Sequence, residues 1–286
     1  MTLSHIKLLD EKPKDYPGLW LSVSKMKTFK DCKLKYKFTY IDRLPQKDYD
    51  HLVFGSLVHY VLEQFHKAMK GETPVALNLL MGQAYKDGVA KFAEKIDKAQ
   101  KTAAYNLLKT YLRLVTKDIE NNTMPDVIGL EQPFFVDLGG QVLLNGLIDK
   151  VQKDKDNVLH VQDYKTSKSK KYLEKDLFQL KVYAYVKCLQ DEALEKVRAS
   201  YVMLKFDFDT VPAKPKEFSR EDALGVEKKI LTSYSEICDE KLWRQSPSPL
   251  CGYCSFAEEC AKSNNYIKSL LKKDSKPDIS SGETSW

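Results

Sequence analysis

The spacing of apolar residues predicts that the first half of the chain is helical. From residue 22 onwards, apolar and aromatic side chains recur every three or four positions until Pro45. This period predicts one or two short helices, with Ser22 or Ser24 as the N-cap. Three longer helices with the same period follow, over residues 53–70, 74–96 and 99–121.

After residue 126 the pattern changes to one that is typical of β-strands. Residues 127–138 and 141–152 are β-branched and apolar, and Gly139-Gly140 between them supplies the positive φ angles of a tight hairpin turn. A third strand is predicted over residues 158–165. The remaining predicted elements are a helix at 173–190, a strand at 198–209 and a helix at 219–241.

These elements predict an α/β protein with a helix-rich N-terminal half. We expect one domain over residues 21–262, an N-terminal arm at residues 1–20 and a flexible tail at residues 263–286, which is rich in Ser, Lys and Asp. The composition, with 43% hydrophobic and 30% charged residues, is that of an ordinary globular protein. No apolar run is long enough to cross a bilayer, and the first ten residues lack a secretory pattern, so we expect a cytoplasmic protein.

The positive charge is concentrated in one segment, which we call the basic segment, at residues 24–47. The net charge is +6, and this segment alone holds eight lysines or arginines against two aspartates. Aromatic residues interleave with the lysines, a mixture that suits a nucleic acid, although a solvated helix face is the alternative. No glycine precedes Lys-Ser or Lys-Thr, so a P-loop nucleotide site is excluded.

Six cysteines in such a chain indicate metal chemistry before disulfides. Cys251, Cys254 and Cys260 follow a Cys-x₂-Cys-x₅-Cys spacing, and three close thiolates require a fourth ligand. On chemistry alone, a zinc ion and an iron–sulfur cluster both remain possible. Cys188 and Cys238 lie on predicted helices, and we expect them to be core thiols.

Two acids and a lysine are predicted to meet at one end of the sheet. Side chains alternate along a strand, so Asp163 and Lys165 share a face, and hairpin pairing can bring Asp149 beside Asp163. Adjacent carboxylates repel unless a cation lies between them, and oxygen ligands suit Mg²⁺ or Mn²⁺. Lys165 would then orient or activate the nucleophile, whereas the structural alternative is a simple ion pair at a strand end.

The order of several motifs resembles the RecB-like branch of the PD-(D/E)XK nuclease superfamily. These motifs are Gly55-Ser56-Leu57-Val58-His59, Asp149, Asp163-Tyr164-Lys165 and Gln179-Leu180-Lys181-Val182-Tyr183. The resemblance implies the mixed central β-sheet of that fold, flanked by helices. It also implies a metal site formed by His59, Asp149, Asp163 and the carbonyl of Tyr164.

The resemblance assigns further roles around this site. Gln179 and Tyr183 share a helical face and would contact DNA or the catalytic strand. Glu131 and Glu63 are weaker candidates for a second metal or for support of the first. The chain is expected to be a Mg²⁺- or Mn²⁺-dependent deoxyribonuclease, and the alternative is a non-catalytic DNA-binding or scaffold module.

The cysteine pattern is similar to that of the iron–sulfur members, which include the AddB nuclease domain and the CRISPR adaptation nucleases. In those proteins one early cysteine and three late ones hold a 4Fe-4S cluster, which implies Cys32 as the fourth ligand here. The implied partners are single-stranded DNA or duplex ends, with a homo-oligomer or a recombination complex as further possibilities. The implied processes are recombination, repair and CRISPR or phage DNA processing, by exonuclease action.

Overall fold

A seven-stranded mixed sheet forms the centre of the protein. The computed structural model describes residues 5–46, 50–69, 76–166 and 170–272. The strand order is β1-β3-β4-β5-β6-β7, and β2 lies beside β4. The strands are β1 (Ile6–Leu9), β2 (Leu19–Leu21), β3 (Asp126–Leu138), β4 (Val142–Lys153), β5 (Leu159–Lys165), β6 (Lys196–Met203) and β7 (Asp209–Ser219).

Helices flank this sheet on both faces. The basic segment forms α1 (Val23–Asp31), α2 (Lys33–Tyr36) and a π-helical turn at Lys37–Ile41. A 3₁₀ turn at Pro249–Tyr253 carries Cys251. The α-helices are α1 (Val23–Asp31), α2 (Lys33–Tyr36), α3 (Asp50–Met69), α4 (Leu77–Lys91), α5 (Lys98–Glu120), α6 (Lys171–Lys175), α7 (Phe178–Gln190), α8 (Arg220–Leu224), α9 (Val226–Asp239), α10 (Ala257–Ala261) and α11 (Asn265–Lys272).

Strand pairing follows from the connections between the strands. The hairpin β3–β4 is antiparallel and turns at Gly139 and Gly140, whose φ angles are +71° and +75°. The pair β5–β6 is parallel, and α6 and α7 form the crossover that parallel strands require. The predicted mixed sheet with flanking helices is therefore confirmed.

Two hydrophobic cores cover the two faces of the sheet. The first packs β3 to β7 against α1, α7 and α9 and includes the fully buried Leu180 and Tyr185. The second packs α3, α4 and α5 against Tyr164, Val202 and Leu204. The strands β5 and β6 are thus covered on both faces, and most of their residues are buried.

The chain ends differ from the predicted arm and tail. Residues 6–9 and 19–21 form β1 and β2, because their apolar side chains extend the sheet beside β3 and β4. In the predicted tail, residues 265–272 form α11, whose Ile267 is 1% exposed. Residues 273–286, together with the predicted helix boundaries at Lys70 and Pro74, lie outside the described residues.

Two predicted helices are divided, and β7, like β1 and β2, was not predicted. The helix at 173–190 breaks at Asp176, whose Oδ1 accepts from the Phe178 N–H at 3.3 Å. The helix at 219–241 breaks at Gly225. The edge strand β7 contains two prolines that obscure its alternation, and edge strands tolerate proline. None of the helices in the described ranges combines the length and apolarity that crossing a bilayer requires.

Candidate active site

The strands β4 and β5 bring Asp149 and Asp163 to the same end of the sheet. Lys150 pairs with Gln162 in this antiparallel ladder, so the next position along each strand is an aspartate. Both aspartates are buried, with 8% and 2% of their surface exposed. The structure thus places the two acids beside each other, as the alternation of the strands predicted.

Three potential metal ligands meet at Asp149. One ligand atom from each of His59, Glu131 and Asp149 lies within 4.8 Å of the other two. His59 Nδ1 is 3.6 Å from Asp149 Oδ2 and 3.9 Å from Glu131 Oε1. We call this set the metal trio, because two carboxylates and an imidazole are suitable ligands for a divalent cation.

Glu131 enters the trio through an unusual backbone conformation. It lies within β3 between Leu130 and Gln132, which pair with Lys150 and Ile148. Its φ is +43°, in the left-handed region that non-glycine residues rarely adopt. Such strain persists only where surrounding structure enforces it, and it is often found at functional sites. From the sequence, Glu131 was only a weaker candidate for metal binding, because no local pattern predicts this conformation.

Burial and neighbouring charges shift the pKa values of Glu131, Asp163 and His59 in this site. Burial and the charge of Asp149 raise the pKa of Glu131 to about 7. Burial also raises the pKa of Asp163, with the attraction of Lys165 opposing it and the charge of Asp149 reinforcing it. Burial would lower the pKa of His59, but the hydrogen bond and charge of Asp149 raise it. A bound cation would relieve the repulsion among the acids.

Asp163 is held by a second group of side chains. Lys165 Nζ lies 2.6 Å from Asp163 Oδ2 and donates to Gln179 Oε1 at 3.0 Å. Gln179 Nε2 and the Tyr183 hydroxyl donate to Asp163 Oδ1 at 2.9 and 3.1 Å. Gln179 and Tyr183, four residues apart on α7, therefore both contact the strand that carries the predicted acid and lysine.

The predicted metal ligands divide between these two groups. Asp149 and His59 are in the metal trio with Glu131, whereas Asp163 is paired with Lys165. The N–H of Tyr164 donates to Asp149 Oδ2 at 2.7 Å, and the role predicted for its carbonyl stays a prediction. Glu63 forms an ion pair with Lys67, one turn further along α3, and its charge raises the pKa of Glu131.

The glycine of the first motif has a packing role. A Cβ atom added at Gly55 would lie 3.3 Å from Thr166 Oγ1, directly after Lys165. The absence of a side chain at Gly55 therefore lets α3 approach the end of β5. This close approach brings His59, one turn further along α3, within reach of Asp149.

The four predicted cluster cysteines surround one cavity. Cys32, Cys251, Cys254 and Cys260 line a space of about 110 Å³, together with Phe256. Burial and the neighbouring thiols raise the pKa of Cys260 to about 11. The structure thus joins Cys32 to three cysteines that lie about two hundred residues later in the sequence.

The two other cysteines lie away from this cavity. Cys188 is buried in the first core, as predicted. Cys238 is exposed, so its prediction as a core thiol is wrong, because it lies on the outward side of α9 next to the buried Ile237.

The basic segment packs against the C-terminal part of the chain. Lys33 forms an ion pair with Glu240, and the ring of Trp243 stacks on Tyr36 with an interplanar angle of 5°. Lys37 is paired with Asp42 at 2.6 Å. Part of the positive charge predicted for nucleic acid therefore stabilises the fold, while Lys30 is exposed.

A second cavity is lined by none of the metal trio residues. It has a volume of about 530 Å³ and lies between α5 and the sheet, with Lys150 and Gln152 in its lining. Burial lowers the pKa of Lys150 to about 8. No sequence pattern indicated this space, and its mixed charges do not define a ligand.

Comparison with known proteins identifies relatives of this chain. Residues 20–261 match the model of a family described as the PD-(D/E)XK nuclease superfamily. One subunit of an ATP-dependent helicase/deoxyribonuclease from Streptococcus pyogenes serotype M3 is 28% identical over 161 residues, which are 54% of this chain and 15% of that protein. The corresponding protein of serotype M12 is 27% identical over the same length.

The chain therefore spans about 15% of the length of the curated relatives that it matches. A solved structure of a putative exonuclease from Eubacterium rectale is also similar, with 15% identity and a TM-score of 0.45. The similarity covers 81% of this chain and 91% of that one.

Proposed function

This chain belongs to the PD-(D/E)XK nuclease superfamily, and on that premise we propose that it hydrolyses DNA phosphodiesters at the site between β4, β5, α3 and α7. Membership of the superfamily supports a DNA nuclease. The proposal adds a dependence on Mg²⁺ or Mn²⁺ and an exonuclease mode of action. It also assigns the reaction to Asp149, Asp163 and Lys165, supported by His59, Glu131, Gln179 and Tyr183.

The observation that carries the proposal is the pair of linked groups at one sheet end. The metal trio gathers two carboxylates and an imidazole within 4.8 Å, an arrangement in which the negative charges repel without a cation. Lys165 and Asp163 form the adjacent group. A structural ion pair alone would not require the strained backbone of Glu131 beside it.

We propose that His59, Glu131 and Asp149 hold the divalent ion, with Asp163 as a further ligand. The donor set favours a hard ion, because its carboxylate oxygens are the ligands that Mg²⁺ and Mn²⁺ prefer, and the imidazole favours Mn²⁺. When bound, such an ion polarises a phosphate oxygen and lowers the pKa of a bound water.

The protein side chains orient the reacting groups. Gln179 contacts both Asp163 and Lys165, so it fixes their separation and the direction of the lysine ammonium. Lys165 is half-buried and carries three donors, so it can hold the attacking water or a phosphate oxygen. Burial keeps the pKa of Tyr183 well above its ordinary value, so its hydroxyl remains a donor to Asp163.

For the cysteine cavity, we propose a 4Fe-4S cluster with structural function. A zinc ion holds four sulfurs at about 2.3 Å, which places them only about 3.8 Å apart. Within the described residues, no three of these four thiols have Sγ atoms that all lie within 4.8 Å of one another. A cubane cluster, with one thiolate at each iron corner, suits the wider spacing.

The proposed substrate is single-stranded DNA or a duplex end, processed in recombination or repair. The name of the relatives, a subunit of an ATP-dependent helicase/deoxyribonuclease, supports DNA as the substrate, and the form of the DNA and the process are part of the proposal. A partner protein is proposed for this chain on the same ground.

A cleavage assay tests this function. Protein purified without oxygen is incubated with 5′- and 3′-end-labelled single- and double-stranded DNA, with Mn²⁺ or with excess chelator. We expect Mn²⁺-dependent shortening from an end. Strong binding without cleavage in Mn²⁺ would instead favour the non-catalytic module.

A further inference from the structure

The hairpin β3–β4 has one face that belongs to neither core. Phe134, Val136, Leu144 and Ile148 point into the first core. Successive side chains point to opposite faces of a strand, so their neighbours lie on the other side. We call this second side the outer face. Next to the metal trio its residues are Leu9, Pro133, Phe135, Asn145 and Leu147, and at the far end they are Lys7, Trp20, Asp137 and the fully buried Leu143.

The part of the outer face next to the metal trio is largely apolar and accessible, whereas Tyr16 covers Trp20 at the far end. Leu147 is 43% exposed, Pro133 is exposed, and Phe135 and Trp20 are half-buried. A sheet face that meets only water normally carries polar residues, so an apolar and aromatic face indicates a binding surface. None of these residues packs in either hydrophobic core.

The outer face leads directly to the metal trio. Pro133 pairs with Leu147, and Glu131 and Asp149 follow two residues further along the same strands. On the other side of this pair, Phe135 lies beside Leu9 of β1. Successive rows are about 6.6 Å apart, so the surface extends stepwise away from the site of hydrolysis.

Two lysines and an aspartate lie at the far end of the outer face. Lys7 is exposed and pairs across the sheet with Asp137. The Nζ atom of Lys12 lies 5.4 Å from the centre of the Trp20 ring. Aromatic rings beside lysines are the features on which unpaired bases stack while their phosphates are neutralised.

We propose that the outer face is the track on which an unpaired DNA strand lies, with its scissile phosphate at the metal trio. This inference rests on the proposed nuclease function. Bases stack on Phe135 and contact Leu147, and Lys7 contacts a phosphate. Stacking accepts every base, so the track binds without sequence preference.

Binding of short oligonucleotides in Ca²⁺ tests the track. Affinities of wild-type protein, Phe135→Ala and Lys7→Glu are compared for dT₂ and dT₆. In the wild type, we expect dT₆ to bind at least about tenfold more tightly than dT₂, because only the longer strand reaches Phe135. Phe135→Ala should remove most of the additional affinity for dT₆ and leave dT₂ binding unchanged. Lys7→Glu should reduce the additional affinity for dT₆.

Matched controls lie elsewhere on the surface. Tyr105→Ala removes a 54% exposed ring on α5, and Lys216→Glu reverses an exposed lysine on the other edge strand. Both should bind dT₆ like the wild type. Circular dichroism and melting temperature verify that Phe135→Ala is folded, and Lys7→Glu, which changes only an exposed side chain, provides an independent measurement.

Two results would overturn the track. One is dT₆ binding by Phe135→Ala and Lys7→Glu that equals that of the wild type. The other is a wild-type dimer that Phe135→Ala converts to a monomer without a change in dT₆ affinity, which would identify the face as a protein interface. The Mn²⁺ cleavage assay tests the nuclease function separately. If the wild type cleaves DNA while Phe135→Ala and Lys7→Glu bind dT₆ as tightly as the wild type does, only the track is refuted.

Discussion

Tyr164 and Asp149 are linked by a hydrogen bond from the Tyr164 N–H to Asp149 Oδ2, at 2.7 Å. The residue between the second acid and the lysine of β5 therefore also positions the acid of β4. Asp149, Asp163 and Lys165 are consequently all placed by the end of one strand.

We predict that Asp163→Asn abolishes cleavage without unfolding the protein. The change preserves shape but removes the charge that binds Lys165 and that would bind a cation. We expect activity to fall by at least about a hundredfold, measured as the initial rate with Mn²⁺. The melting temperature without metal should stay within a few degrees of that of the wild type. Burial raises the pKa of Asp163 and so disfavours its charged form, and the variant replaces this carboxylate with a neutral amide.

The matched control for this variant is Asp209→Asn. Asp209 also pairs with a lysine at 2.6 Å, but its side chain is 63% exposed and lies away from the trio. It should retain wild-type activity. Comparable activity in Asp163→Asn and Asp209→Asn would refute the assignment of Asp163.

We predict that Tyr183→Phe lowers kcat and leaves KM nearly unchanged. The hydroxyl of Tyr183 holds Asp163 Oδ1, so its removal misplaces a reacting group without removing contact with DNA. We expect a loss of about tenfold in kcat, which corresponds to the net value of one hydrogen bond to a charged group.

Tyr185→Phe provides the control on the same helix. Its hydroxyl is buried and has no hydrogen-bond partner among the described residues. Its removal should therefore leave kcat unchanged. Equal effects of the two variants would mean that Tyr183 contributes only to packing.

We predict that Glu131→Gln stabilises the metal-free protein at pH 8 but not at pH 4. The pKa of Glu131 is about 7 in the fold, above its ordinary value of 4.5. Between these values the folded state retains a proton that the unfolded chain has released, so stability falls as the pH rises. At pH 8, the free energy of unfolding of the variant should exceed that of the wild type by about 1 to 2 kcal/mol, after allowance for solvent screening. Urea unfolding in the presence of a chelator measures this difference.

With Mn²⁺ present, the same variant should lose its advantage. The wild type gains stability from the bound ion at pH 8, whereas Glu131→Gln has lost a ligand and should gain less. Glu236→Gln, a change at an exposed residue of α9, should show neither effect. An identical response of Glu131→Gln and the wild type to Mn²⁺ would exclude Glu131 as a ligand.

We predict that the double variant Lys27→Glu/Lys30→Glu weakens DNA binding and its dependence on salt. Both lysines are exposed on α1. Removing one lysine–phosphate interaction with a single strand should reduce the slope of log affinity against log salt by about 0.7. The control Lys214→Glu/Lys216→Glu makes the same charge change on β7. Equal slopes in the two double variants would mean that Lys27 and Lys30 do not contact DNA phosphates.

Local patterns in the sequence predicted the hairpin and the positions of Asp149 and Asp163, because alternation and the Gly139-Gly140 turn are encoded by neighbouring residues. They did not predict β1, which is stabilised as a strand only by pairing with β3. The conformation of Glu131 was equally unpredictable, since its positive φ depends on tertiary contacts. The placement of Cys32 beside Cys260 came from resemblance, because no local period joins residues so distant in sequence.

We predict that Cys32→Ser loses the proposed cluster while it keeps the local helix. Cys32 caps α2, and its Sγ accepts from the Lys35 N–H at 3.4 Å. Serine is a good N-cap but a poor ligand for iron, so this variant separates the cap from the metal. Wild-type protein purified without oxygen should be brown and contain about four irons per chain. Cys32→Ser should be colourless, melt at a lower temperature and be cleaved by protease within residues 249–272, because metal binding is coupled to folding in such sites.

The buried Cys188 and the exposed Cys238 provide the controls for this last variant. Cys188→Ala and Cys238→Ser should both keep the colour and the iron content, although Cys188→Ala should lower stability through a small cavity in the first core. Stoichiometric zinc in colourless wild-type protein would refute the cluster and leave the four-thiol site. If Cys32→Ser stays brown and protease-resistant, Cys32 is not the fourth ligand, and the attachment of α2 to the C-terminal segment depends on the Lys33–Glu240 ion pair and the Tyr36–Trp243 stack instead.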